Sequence, residues 1–400
     1  MGGMEPHFAF VGAASGALCD GRQQCTIFSK LKVDIDVGDH PQIAATVEGM
    51  NKVYEAPDEA ALQEWLASTF IVSSASDADE VYHSAAPIKQ ATLYYVPKSS
   101  ELLFRVHHFT IDGIGMLLLC HSYLSALAAP AKDLKFGDEY TRLAPTIEEA
   151  LGYTTPTSEQ IEKAGRDFMS WAVNAPGIGP VSKVGAVAAG EYQNTELVFP
   201  TQTTEAIIKA CKDKGISVTS AVHAAYIRAI VKYADPSSQN LPYVTANLFN
   251  LRPYVLAPYN TSQSAASVYF TPYPYKLDLP ASFWESAQAL NRYYKNLIKD
   301  DPEILNRTGT LTNIVHTTAQ SPDLGIAEQY LRRTYGSNVT VRDLSKVGVD
   351  VVLGMSMFFI YTFQDQLLLV YSFNDGYEEA SNIDAYLEEM QRVLAEELLA

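Results

Sequence analysis

Residues 101–119 read ELLFRVHHFTIDGIGMLLL, two apolar runs separated by HHFTIDG. The first run, with ATLYYV (91–96) and the polar turn PKSS before it, predicts a two-stranded hairpin. The second, IGMLLLCHSYLSALA after Gly113, predicts a helix that runs until Pro130. A strand that passes straight into an apolar helix is α/β construction. It also holds two adjacent histidines, an aspartate and two glycines between rigid elements, where a reactive group is well placed.

The rest of the chain keeps the same alternation. DEAALQEWLA (58–67) has helical spacing with acids in its first turn. The stretch NAPGIGPVSKVGAVAAG (174–190) is rich in Gly, Ala and Pro and reads as a linker. Beyond it come a strand (195–200), two helical runs (204–215 and 220–234) and a buried strand, LPYVTANLFNLRPYV (241–255), that ends in an Arg-Pro turn. Two apolar strands, VVLGMSMFFIYTF and QLLLVYSFN, precede a closing amphipathic helix, NIDAYLEEMQRVLAEELLA. At 400 residues the chain exceeds one ordinary core. The expectation is an α/β protein of two half-domains with mixed sheets, 1–175 and 193–400, joined by a linker at 176–192. No repeat or low-complexity tract is visible.

Only eight histidines serve the chain, so a touching pair needs a reason. An imidazole titrates near neutrality and can take a proton from an alcohol or amine and return it to a leaving group. Asp112, four residues after His108, has three open readings. It acts on the imidazole as in a triad, it pairs with a distant arginine, or it is simply a helix N-cap. Gly113 and Gly115 relieve crowding where the turn enters the helix.

HHFTIDG resembles the HHxxxDG signature of the chloramphenicol acetyltransferase-like superfamily, which includes BAHD acyltransferases, fungal trichothecene acetyltransferase-like enzymes and condensation domains. NLFNLRPYV (247–255) is similar to the Asn-Leu-Arg-Pro segment of fungal members, and the order of later elements agrees, including KGISVTSAVHAAYIRAI (214–230). The resemblance covers roughly residues 40–400. It implies an active-site tunnel between the two half-domains, with His108 as general base. It also implies that Asp112 points away from substrate and pairs with Arg252, while His107 and Gly113 support the loop. The implied reaction is transfer of an acyl group from an acyl-CoA thioester to a hydroxyl or amine of a small molecule in secondary metabolism. An acyl carrier protein is the alternative donor, and a cyclase or isomerase acting on a polyketide-like substrate the alternative reaction. A binding protein without activity is a third reading, disfavoured by the intact motif.

Two departures from the pattern stand out. The BAHD motif DFGWG is absent, its neighbourhood reading VRDLSKVGVDVVLG (341–354). In KLKVDIDVGDHPQIAATVEGM the strand runs directly into HPQIAA, where relatives place a helix.

Net charge of −17 disfavours nucleic acid and anionic membranes as partners. The cysteines Cys19, Cys25, Cys120 and Cys211 show no metal or CxxC spacing, and no apolar run approaches a membrane span. With no signal-peptide pattern in MGGMEPHFAF, the expectation is a cytoplasmic, monomeric enzyme without metal. The aromatic-proline run VYFTPYPYKLD (268–278) makes Tyr269 and Tyr273 acceptor-contact candidates, against an edge strand as the plain alternative. Ser356 is a further substrate candidate, against a locally bonded serine. Lys212 and Lys214, with Lys209, are candidates for CoA phosphates, against a solvated helix face. His121 reads as a packed or surface residue.

Overall fold

The computed structural model describes residues 2–19, 21–34, 46–48, 51–53, 58–84, 86–129, 143–152, 157–175, 177–279, 281–300, 320–352, 354 and 356–400. The HPQIAA segment expected to lack a helix lies outside them. The chain forms two compact units that are not consecutive in sequence. The first is Met1–Tyr153, Asn250–Phe270 and Ile326–Asp350; the second is Thr154–Phe249, Thr271–Gly325 and Val351–Ala400.

The first unit is built on a six-stranded sheet. Its order is Thr334–Tyr335, Val339–Val349, Thr26–Asp34, Glu101–His107, Thr92–Val96 and Phe70–Val72. The expected hairpin is present, with Thr92 opposite Arg105 and Val96 opposite Glu101. On the other side Thr26 pairs with His107 and Lys32 with Glu101. ELLFRVH is therefore an interior strand, buried throughout except at His107, which is why its hydrophobic pattern is continuous rather than alternating. Helix Gly113–Ala128 follows and is buried over most of its length. Tyr123 of that helix meets Phe104 of the strand edge-on at 5.3 Å.

A buried charge cluster fixes the strand. The Tyr82 hydroxyl donates to Asp350 Oδ1 at 2.8 Å, Arg105 Nη2 lies 3.7 Å from Asp350 Oδ2, and Arg105 Nη1 donates to the Ala86 carbonyl. Burial raises the Asp350 carboxyl to about 6, against the lowering influence of Arg105 and Tyr82.

The second unit carries the other six-stranded sheet, ordered Tyr192–Val198, Gln366–Asn374, Met357–Phe363, Gln320–Ile326, Tyr243–Asn250 and Phe270–Leu277. Strand Phe270–Leu277 lies at the edge, the position where Pro272 and Pro274 remove no interior ladder bond. Helices Thr201–Asp213, Val218–Lys232, Phe283–Asp300 and Ala380–Leu398 pack with sheet residues such as Phe358, Ile360, Leu369 and Phe373 into one core. The stretch expected as a linker, 176–192, lies within this unit. It is bonded there through Ile178 N–H to Pro242 O, Asp235 N–H to Gly179 O and Gly190 N–H to Asn374 Oδ1. No helix among the described residues is long and apolar enough to cross a membrane.

Candidate active site

The strand Glu101–His107 delivers His108 to the edge of the ladder. There the His108 N–H donates to the Cys25 carbonyl at 3.0 Å, just before strand Thr26–Asp34 begins. The chain then turns, with Thr110 N–H bonded to His107 O, and Asp112 opens the helix. His108 is 5% exposed. Its ring is stacked on Phe8 at 3.8 Å between centroids and 9° between planes, and Phe270 approaches tilted at 5.7 Å. Burial pulls the imidazole down to about 4, so it is neutral at ordinary pH. The carbonyls of His108 and Ile111 and the charge of Asp112 oppose that shift. Even so, Nδ1 is buried without a hydrogen bond of ordinary geometry among the described residues.

Asp112 is an N-cap and an ion-pair partner at once. Its Oδ1 accepts from Gly115 N–H at 2.7 Å, its Oδ2 from Tyr269 N–H at 2.7 Å, and Arg252 Nη1 reaches both oxygens at 2.8 Å. Arg252 Nη2 donates to the hydroxyl and carbonyl of Ser267, whose carbonyl also accepts from Asp112 N–H. Asp112 and Arg252 are both buried. The carboxylate's hydrogen bonds run to Arg252 and two backbone amides, an arrangement that satisfies a buried charge and differs from a Ser-His-Asp triad, where the carboxylate bonds the imidazole.

Gly115 is required by close approach. A Cβ there would lie 2.3 Å from the Ala265 carbonyl oxygen and 3.1 Å from Arg252 Nη2. Gly113 starts the helix, half-buried. His107 is a packed residue, stacked on Phe109 at 4.9 Å and held down to about 4, chiefly by burial.

The remaining sequence candidates occupy other surroundings. Tyr269, considered for acceptor contact, is fully buried. Its hydroxyl donates to Pro145 O and its ring lies under the Arg252 guanidinium at 5.5 Å, so it braces the Asp112–Arg252 pair. Tyr273 belongs to the second unit, where its carbonyl accepts from the Tyr293 hydroxyl. The Ser356 hydroxyl donates to Glu378, which matches the locally bonded reading. Lys212 is exposed in the last turn of its helix, Lys209 pairs with Asp213 at 2.7 Å, and Lys214 lies over the Trp284 ring at 5.5 Å. His121 Nδ1 bonds the Tyr335 hydroxyl. Among the described residues, no group of three or more His, Cys, Asp or Glu is arranged to hold a metal ion.

Sequence reasoning gave no role to Phe8, Ser267 or Asn250. Asn250 Oδ1 accepts from Arg252 N–H at 3.0 Å, a local turn bond that the Asn-Leu-Arg spacing encodes. Phe8 sits in an N-terminal helix, Glu5–Leu18, whose sequence carries no chemical signature.

No family model matches the chain. Among curated proteins, O-acetyltransferase pigM of Monascus ruber is 29% identical over 378 residues, covering 90% of this chain and 74% of its own. Acetyltransferase pigO of Monascus ruber is 26% identical over 382 residues, covering 90% and 83%. Among solved structures, the TRI3 trichothecene 15-O-acetyltransferase of Fusarium sporotrichioides superposes with a TM-score of 0.82 at 14% identity, covering 98% of this chain and 94% of that one. The first condensation domain of the CDA synthetase gives 0.66 at 13% identity, covering 98% and 94%.

Proposed function

We propose that this chain, which has the chloramphenicol acetyltransferase-like fold, is an acyltransferase of secondary metabolism that moves an acetyl group from acetyl-CoA to a hydroxyl of a small molecule, with His108 as general base. The observation that carries the reading is the pairing of roles at 108–112. A buried, neutral imidazole is presented at a strand end, while Asp112 is committed to Arg252 and two amides. The similarity to acetyltransferases along most of the chain supports it.

In this mechanism the unprotonated His108 takes the acceptor's hydroxyl proton as its oxygen attacks the thioester carbonyl. The tetrahedral oxyanion collapses, the carbon–sulfur bond breaks, and the imidazolium returns the proton to the departing thiolate. A ring that burial keeps uncharged becomes a cation only when the oxyanion supplies a countercharge, so proton transfer and attack are coupled. Gly113, Gly115, His107 and Arg252 keep the turn in place. Lys212 and Lys214 are the cations assigned to the CoA phosphates. A carrier-bound acyl donor is the variant that the condensation-domain likeness supports.

The test is thiol release from acetyl-CoA in the presence of a panel of hydroxylated polyketides, with product mass read in parallel. A product heavier than its precursor by one acetyl group, lost in His108→Ala with the fold intact, is expected. Product of unchanged mass would make the protein a cyclase or isomerase on this fold. Competition by an acyl-loaded carrier protein separates the two donors.

A further inference from the structure

General-base histidines are ordinarily oriented by a hydrogen bond from the second ring nitrogen. At His108 that bond falls short of ordinary geometry: buried Nδ1 has only the nearby backbone carbonyls of His108 itself and Ile111, and Asp112 is turned to Arg252. Weak carbonyl contacts leave room for a further constraint on the plane of a ring that has to meet two reactants.

The candidate is Phe8. Its ring lies face to face with His108 at 3.8 Å and 9°, closer to parallel than the aromatic contact to Phe270, at 5.7 Å and 47°. A flat aromatic face against a flat imidazole restricts rotation about χ2 in a way an aliphatic side chain does not. The helix that carries Phe8 is tied down on both sides of it. At its start Gly3 N–H donates to Glu148 Oε1 at 3.0 Å and Met4 is fully buried. Toward its end the Ser15 hydroxyl accepts from Gln24 N–H at 2.7 Å, next to Cys25, whose carbonyl accepts from His108 N–H. The backbone and the ring of His108 are thus held from adjoining parts of the same unit.

We propose that Phe8 is the positioning residue of His108, setting the plane of the imidazole by face-to-face stacking beside the weak contacts that its ring nitrogen makes with backbone carbonyls. The proposal rests on His108 being the base of the proposed transfer.

The test compares the full-length protein with Phe8→Leu, which keeps an apolar side chain without a flat face, and Phe8→Tyr, which keeps the ring. Histidine-selective isotope labelling reads the carbon-bound imidazole protons, the His108 signal being identified by its loss in His108→Ala. The stacked ring predicts an upfield-shifted His108 signal in the wild type and in Phe8→Tyr, relaxed toward ordinary positions in Phe8→Leu. In the acetyl-transfer assay, Phe8→Leu should lower kcat by about tenfold to a hundredfold with KM within about twofold, the range expected for a misplaced catalytic group. Phe8→Tyr should recover most of the rate. Circular dichroism and melting confirm that each variant is folded.

An unshifted His108 signal overturns the proposal. So does an unchanged kcat in Phe8→Leu, a loss confined to KM, or a gain in kcat, which would mark Phe8 as an obstruction. A His108→Ala variant at full rate removes the base reading and this proposal together. An inactive His108→Ala alongside a fully active Phe8→Leu removes this proposal alone.

Discussion

The ion pair between Asp112 and Arg252 offers the sharpest quantitative test of how the motif is held. Replacing Arg252 by Met leaves a carboxylate that is 3% exposed with only the Gly115 and Tyr269 amides to solvate it. Breaking a buried pair in this way costs about 3–5 kcal/mol. Asp112→Asn keeps the shape but strands the guanidinium of Arg252, itself 4% exposed, and turns an amide N–H₂ toward other donors, at a similar cost. In the double variant neither charge remains, so the stranded-charge penalty disappears and the total should fall well short of the sum. A coupling of about 2–3 kcal/mol or more is expected. For a unit of about 200 residues each kcal/mol moves the melting temperature by about 2–4 °C, so each single variant should lose roughly 10 °C. Melting followed by circular dichroism on the four proteins of the cycle measures this. Additive losses, or a single variant within about 2 °C of wild type, would refute the argument that the pair neutralises two buried charges.

Other consequences are simpler to state. Gly115→Ala should destabilise by about 1–3 kcal/mol or more, because its Cβ meets the backbone oxygen of Ala265, which has no rotamer to escape into; an unperturbed melt would show that the loop yields. The pH dependence of kcat/KM should show an acid limb near pH 4. As the proposed base His108 must be unprotonated, and burial holds the free ring there, with neighbouring His107 held down to the same range. An inflection near 6.5, where an exposed histidine titrates, would count against His108 as the base.

The elements legible in sequence are those whose periodicity is driven by the core. The hairpin at 92–107, helix Gly113–Ala128 and the pair of strands at 357–374 all stand where their apolar patterns place them. The helix expected at 58–67 is found at Glu59–Thr69, with Asp58 as its cap. Discontinuity was not legible. Nothing in the composition of 250–270 or 326–350 distinguishes them from their flanks, yet both belong to the first unit. The Asp112–Arg252 pair was legible through resemblance to known motifs, because a spacing of this length carries no periodic signal of its own. The role of Phe8 was not, since a phenylalanine in a short apolar helix is indistinguishable from any core residue until the ring beneath it is seen.

That discontinuity gives the motif aspartate a purpose that a contiguous domain would not need. The segment Asn250–Phe270 is an excursion of chain that returns to the first unit, and an excursion of that length must be closed against its own conformational entropy. Its attachments converge on one residue. Arg252 at the start and Tyr269 at the end both bond the Asp112 carboxylate, and Ser267 between them accepts from the Asp112 amide while holding the guanidinium. Leu251 N–H closes the loop on itself through the Tyr269 carbonyl. Asp112 thus fastens both ends of the excursion to the helix N-terminus that follows His108. The four-residue spacing from His108 to Asp112 makes the turn that carries the proposed base and the fastening point one piece of chain. Loosening the fastening should therefore be felt at His108 even though the carboxylate forms no hydrogen bond with the imidazole.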